Sequence, residues 1–235
     1  MGRTIEKSPY TAKETYSGFW DIDEGGVRSF LIEDEKEALL IDTGFGRGDL
    51  AALVREITDK PVRVLNTHTD GDHTGCNKSF DNVSMHPAEY DRYCFGKDVR
   101  TDCIHPVWEG DEICAGKYRF EVILIPGHTP GSIALLEKSR RFLISGDSVQ
   151  AGAAFMFGQG RNLPAYRESI KKLMARRDEF DTVHPSHGEL NVPADIIEDI
   201  YEAAGKLLSG ELEGKETEMR MPCRLYEYKR AKFLY

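Results

Sequence analysis

The 235-residue chain has no long hydrophobic run. No apolar stretch approaches the roughly 18 residues of a membrane span, which excludes a transmembrane helix. The opening residues, MGRTIEKSPY, lack the apolar centre of a signal peptide. They begin Met-Gly, yet Glu6 stands where a myristoylation signal carries Ser or Thr. Cysteine is sparse: Cys76, Cys94, Cys103, Cys114 and Cys223 form an odd set with no Cys-x-x-Cys pair. That argues against a disulfide framework, and a reduced, cytoplasmic setting is expected. Positive charge is also short, with 31 Lys and Arg against 40 Asp and Glu, for a net charge of −9. Without a dense basic run, a nucleic-acid partner is not expected, and the acidic balance repels anionic membranes. No repeat or low-complexity linker interrupts the chain, so one domain over residues 1–235 is expected. Apolar residues make up 40%, enough to bury a core at this length.

Short apolar runs separated by turns occupy the first half. Ser29–Glu33 and Ala38–Asp42 flank the polar Asp34-Glu35-Lys36 and read as a hairpin. Gly44, Gly46 and Gly48 follow. Next, Asp49–Thr58 places Leu50, Leu53, Val54 and Ile57 at helical spacing. Pro61–Leu65 reads as a strand that ends at the polar run Asn66–Gly75. Tyr118–Ile125, Ser132–Leu136 and Phe142–Ile144 read as three more strands. Leu163–Arg177 and Ala194–Leu208 each carry one apolar face with a 3.6-residue period, and Cys223–Tyr228 reads as a final strand. Strands, a helix, strands and then helices suggest a layered α/β sandwich.

Chemistry concentrates where the apolar runs stop. Asn66–Gly75 reads NTHTDGDHTG, with His68, Asp70, Asp72 and His73 within six positions directly after a strand. The surrounding Gly and Thr allow sharp turns that aim several side chains at one point. Imidazole suits zinc and iron and carboxylate suits harder ions, so this mixture can hold hydrolytic metals. His128 sits in PGHTPG after the run ending at Ile125, Asp147 in SGD after Ile144, and His187 in PSHG shortly after Val183. Taken singly, each histidine reads as a hydrogen-bonded loop residue and Asp147 as a turn residue. Their joint occurrence at strand ends points to a metal site.

The pattern His68-x-Asp70-x-Asp72-His73, followed by His128, Asp147 and His187, resembles the metallo-β-lactamase superfamily signature, whose first element is usually His-x-His-x-Asp-His. The order and the steps of 55, 19 and 40 residues match, and Asp42 in LLIDTG stands where the family has its early strand-end aspartate. The resemblance runs from about Phe30 to about Leu208. It implies an αββα four-layer sandwich and two divalent metal ions, zinc or iron/manganese. His68, Asp70 and His128 would hold the first ion, and Asp72, His73 and His187 the second. Asp147 would bridge them, and Asp42 would orient a ligand by hydrogen bonding. A water or hydroxide between the metals would be the nucleophile, with Asp72 able to orient it, so Asp72 and Asp147 are the catalytic candidates.

Asp70 departs from the common pattern. A carboxylate there favours iron or manganese over zinc. If it does not ligate, the centre is in effect mononuclear. PGHTPGS at 126–132 resembles the glyoxalase II-like and lactonase-like branch, as does the stretch from Gly146 to a helix with Tyr166 and Ser169. The expected activity is hydrolysis of a small ester, thioester or lactone. Only 48 residues follow His187, fewer than a glyoxalase II-type glutathione-binding extension needs, so a glutathione thioester is not the expected substrate. Phe155, Met156, Phe157, Arg161, Tyr93, Phe95 and Trp108 are candidate pocket walls, with ordinary packing the competing role for each. His86, His105 and His184 match no motif position. Flavodiiron proteins carry a carboxylate at the position of Asp70, so a di-iron protein that reduces or senses oxygen or nitric oxide is the alternative. A non-catalytic metal binder is the third reading.

Overall fold

Alternating burial shapes the start of the chain. Tyr10 and Ala12 are buried while Thr11 and Lys13 face outward, as expected for a strand with one covered face. Strands β1 (Thr4–Lys7), β2 (Tyr10–Tyr16), β3 (Phe19–Asp23), β4 (Arg28–Glu33) and β5 (Ala38–Ile41) run as an antiparallel meander. The computed structural model describes residues 2–96, 99–218 and 221–235. Its two compact units are Met1–Phe120 and Glu121–Tyr235.

In the first unit the sheet changes from antiparallel to parallel after β5. Helix α1 (Leu50–Ile57) makes the crossover to β6 (Val62–Leu65), and β7 (Val83–Met85) and β8 (Ile104–Pro106) extend the parallel half. Asp49 caps α1 by accepting the Ala52 N–H at 2.8 Å. Leu50, Leu53, Val54 and Ile57 of α1 pack on Leu31, Leu40 and Val64 of the sheet. Each full aliphatic burial of this kind contributes roughly 1.5–3 kcal/mol. Parallel pairing puts the carboxyl ends of β5, β6 and β7 along one edge, where α/β sheets place their ligands. Asp42, Asn66–Gly75 and the segment from His86 to Cys94 follow those three ends. Short helices α2 (Gly71–Thr74) and α3 (Tyr90–Cys94) lie in the last two of these stretches, and β9 (Glu112–Ala115) closes the unit.

The division between the units runs through β10 (Tyr118–Leu124). The second unit continues with β11 (Ile133–Glu137), β12 (Phe142–Gly146), β13 (Ala153–Phe155), β14 (Thr182–Pro185) and β15 (Val192–Pro193). One sheet has the order β15–β14–β12–β11–β10. β12 and β14 are parallel, with a register shift between Ile144 and Gly146. Helices α4 (Leu163–Met174) and α5 (Ile196–Leu208) bury Ile170, Leu173, Ile197, Ile200 and Ala204 in a core with Ile123, Leu136 and Leu143. A smaller sheet joins β16 (Lys215–Glu216), β17 (Arg224–Tyr228) and β18 (Ala231–Leu234) to β13, in the order β13–β18–β17–β16.

The expected hairpin, the strands and the three helices form within a few residues of their expected limits. Leu163–Arg177 is shorter than expected: α4 ends at Met174, and Arg177–Glu179 is a 3₁₀ turn. Cys223–Tyr228 forms as β17 but is not the final strand, because β18 follows. No helix among the described residues is long and apolar enough to cross a membrane.

Candidate metal centre

In the first unit the site begins at Asp42, just past the end of β5. Its φ of 59° lies in the left-handed region, which Asp tolerates better than most residues. The carboxylate is buried and accepts three hydrogen bonds. Oδ1 takes the Thr67 N–H at 2.8 Å; Oδ2 takes the Thr67 hydroxyl at 2.7 Å and His73 Nδ1 at 2.8 Å. A carboxylate in this role only accepts, so the proton between the groups sits on His73 Nδ1. Nε2 of a neutral His73 is then the nitrogen with the lone pair. The same logic reaches His68 one step further on. Thr67 gives its hydroxyl proton to Asp42, so its oxygen accepts from His68 Nδ1 at 3.1 Å. His68 Nε2 therefore also carries the lone pair. One aspartate thus sets the tautomer of two histidines, as metal-binding imidazoles require.

The ligand loop is braced from several sides. The His73 carbonyl accepts the Thr43 N–H at 2.8 Å and the Asn66 side-chain amide at 3.0 Å, and Asn77 donates to Asn66 Oδ1 at 2.8 Å. Gly75 passes so close to Phe45 that a Cβ would lie 2.2 Å from the Phe45 carbonyl carbon. Glu89, fully buried, accepts the Thr69 N–H at 2.9 Å and the Thr69 hydroxyl at 2.6 Å. Asp70 precedes α2 at its N-cap position, yet its side chain makes no capping hydrogen bond. Instead Oδ1 accepts from Arg92 Nη2, and Oδ2 lies 3.6 Å from His68 Nε2. Asp72 Oδ2 lies 3.8 Å from His73 Nε2.

The second unit repeats the arrangement at the ends of parallel β12 and β14. The Ser186 N–H donates to the Gly146 carbonyl at 3.1 Å, which ties the two strand ends together. Asp147 and His187 follow directly, with Nε2 of His187 3.3 Å from Asp147 Oδ2. His128 Nε2 lies 3.6 Å from the same oxygen. His128 Nδ1 donates to the Phe155 carbonyl at 3.0 Å, so its Nε2 carries the lone pair as well. The loop that holds His128 is clamped by α4. The Asn162 N–H donates to the Gly127 carbonyl at 2.8 Å, and the Ser169 hydroxyl donates to the Pro126 carbonyl at 2.7 Å. Gly127, at φ 136°, lies against Tyr166, where a Cβ would come 2.3 Å from the Tyr166 backbone. Tyr166 donates to the Ser148 carbonyl at 2.6 Å, and burial, then the Asp147 carboxylate, raises its pKa.

The donor chemistry of each unit fits a metal. An ion about 2.0–2.2 Å from its N and O ligands at tetrahedral angles sets neighbouring donors roughly 3.3–3.5 Å apart. The four His–Asp pairs, at 3.6, 3.8, 3.6 and 3.3 Å, lie close to that spacing. Three of them exceed ordinary hydrogen-bond reach. Nε2 faces a carboxylate oxygen in every pair.

Several expected bystanders have other roles. His184 is fully buried in β14 with its ring stacked 4.6 Å from that of Phe142. His86 accepts the Ala88 N–H at 3.2 Å through Nδ1, and burial lowers its pKa. His105 is exposed on β8. Met156 belongs to the second unit's core, and Arg161 donates to the His128 carbonyl at 2.6 Å. Phe95 and Trp108 are exposed, whereas Tyr93 is buried. The five cysteines are free. Thr67, Glu89 and Arg92 were not legible as site residues. Threonine and charged helix residues are common in any sequence, and only the fold brings these three to the ligand loop.

Comparison with known proteins agrees with this chemistry. The family model of the metallo-beta-lactamase superfamily matches residues 22–187. The acyl-coenzyme A thioesterase MBLAC2 of Gallus gallus is 28% identical over 204 residues, covering 70% of this chain and 74% of that protein. A hydroxyacylglutathione hydrolase of Gloeobacter violaceus is 32% identical over 138 residues, which is 56% of this chain and 52% of its own length. Among solved structures, the metallo-beta-lactamase from Pontibacter korlensis superposes with a TM-score of 0.66 at 18% identity, covering 87% of this chain and 99% of its own.

Proposed function

We propose, for a chain that belongs to the metallo-β-lactamase superfamily and has its α/β fold, the hydrolysis of small acyl thioesters at a dinuclear metal centre. The observation that carries the proposal is the set of four His–Asp pairs at metal-ligand spacing, with three of the imidazoles locked in the ligating tautomer. In this reading His68, Asp70 and His128 serve the first ion, Asp72, His73 and His187 the second, and Asp147 both. When bound, the ions supply Lewis acidity and lower the pKa of water.

The chain's own residues would then do the following. Asp42 and Thr67 orient His73 and His68 and hold the proton of each on Nδ1. Asp72, about a quarter exposed, orients the attacking water through one carboxylate oxygen. Asp147, held at the joined ends of β12 and β14, offers its carboxylate between His128 and His187. Two named relatives favour a thioester over an ester or lactone, since both cleave thioesters by name. The di-iron alternative starts from the carboxylate at Asp70, and Arg92 donates to that carboxylate.

Initial rates of the metal-loaded protein on acyl-coenzyme A thioesters, a hydroxyacylglutathione, a lactone and a phosphodiester test the proposal. Fastest turnover of a thioester, abolished in Asp147→Ala, is expected. Turnover confined to the phosphodiester, or to none of them, overturns it.

A further inference from the structure

Two contacts reach the ligand loop from one short segment. Glu89 and Arg92 are three residues apart, Glu89 directly before α3 and Arg92 within it, a spacing that places both on one side of the helix. Their targets, Thr69 and Asp70, are consecutive. Glu89 fixes the backbone of Thr69, and Arg92 takes one oxygen of Asp70. Asp70 is only 14% exposed, so its charge is not left to solvent. The other oxygen of Asp70 faces His68 Nε2 at 3.6 Å.

We propose that Arg92 and Asp70 act as one unit that replaces a neutral imidazole at the first metal position. This rests on the metal reading above. The usual His-x-His-x-Asp-His pattern has an uncharged one-atom donor where this chain has a carboxylate. Left alone, a carboxylate adds a negative charge and a second donor oxygen. The guanidinium answers both differences. Its positive charge offsets the negative one, and its hydrogen bond engages Oδ1, so Oδ2 is presented as a single donor. Arg92 is a positioning residue: it acts on the metal through Asp70.

The pairing makes an unusual prediction. Restoring the common histidine by itself should harm the site, because Arg92 would then place an uncompensated positive charge beside a cation. The test compares the full-length wild type with D70H, R92Q, R92K and D70H/R92Q, using zinc as the probe. Zinc bound per chain at buffered free zinc is read alongside the zinc-induced rise in Tm, and circular dichroism monitors folding. D70H should bind its first-site zinc about tenfold more weakly than wild type. D70H/R92Q should recover that loss to within about threefold, whereas R92K should stay nearer to wild type than R92Q. A merely structural Arg92 would weaken D70H further when removed. If R92Q fails to improve zinc binding in the D70H background while wild type binds two zinc ions, the pairing is overturned alone. If folded wild type binds no zinc, the metal reading and the pairing fall together.

Discussion

His73 Nδ1 lies 2.8 Å from Asp42 Oδ2, and neither side chain is more than 1% exposed. This contact couples a strand end to a ligand loop that begins more than twenty residues later in the chain. Through Thr67, the same carboxylate also orients His68. Asp42→Asn cannot accept from both Thr67 and His73 with both of its side-chain atoms, so it should disorder both rings. We predict a loss of about 10–100-fold in metal affinity, with the fold retained. Competition with a zinc-binding dye measures it. An affinity within twofold of wild type would contradict the role assigned to Asp42.

Asp147 should matter more than Asp42. It faces two histidines, at 3.6 and 3.3 Å, whereas Asp42 acts through imidazoles. Asp147→Ala should lower the number of ions held per chain, while Asp42→Ala should weaken binding without changing the final stoichiometry. Equal, small effects in the two variants would count against the bridging assignment.

Gly127 should not tolerate a side chain. At φ 136° and with Tyr166 against it, alanine is both strained and obstructed. Gly127→Ala should cost roughly 1–3 kcal/mol in stability. It should also displace His128, which a lower metal content in the folded variant would report. An unchanged Tm with full metal content would contradict the proposed packing.

Acid should loosen the second unit through one ion-pair cluster. Hydrogen bonds from Arg176, aided by Lys138, hold Glu121 and Glu179 down to about 2, well below the usual glutamate range. A depressed carboxylate pKa stabilises the fold above its unfolded value and loses that contribution as the pH falls toward the folded one. The stability from this cluster is therefore complete near neutrality and fades from about pH 4.5 to about pH 2. Both glutamates are about a third exposed, so solvent screening keeps the effect modest. Arg176→Gln should flatten the stability profile across that interval. Parallel profiles of variant and wild type in urea unfolding would refute the assignment.

Much of the fold could be read from the residues because burial follows period. Leu50, Leu53, Val54 and Ile57 announce α1, and Ile196, Ile197 and Ile200 announce the start of α5. The opening meander was harder to read. In β1 and β2, Lys, Glu and Thr alternate with apolar residues on strands covered on only one face, and the pattern resembles a polar turn. β15 and β16 have two residues each, too few for any period. The seven ligand candidates were visible because His and Asp cluster beside Gly at strand ends. Their supports were not. Arg92 meets Asp70 only after β7 has brought the segment to the neighbouring strand end. Tyr166 and Ser169, read as part of a branch-like stretch, turn out to brace the loops of Asp147 and His128.

The proposed hydrolysis requires that the seven ligand candidates bind metal ions. Elemental analysis of the full-length chain, purified without chelator and reloaded with zinc, iron or manganese, tests it most directly. The account predicts about two equivalents per chain, from seven ligand positions and one shared carboxylate. A folded protein that retains none of the three metals would contradict it.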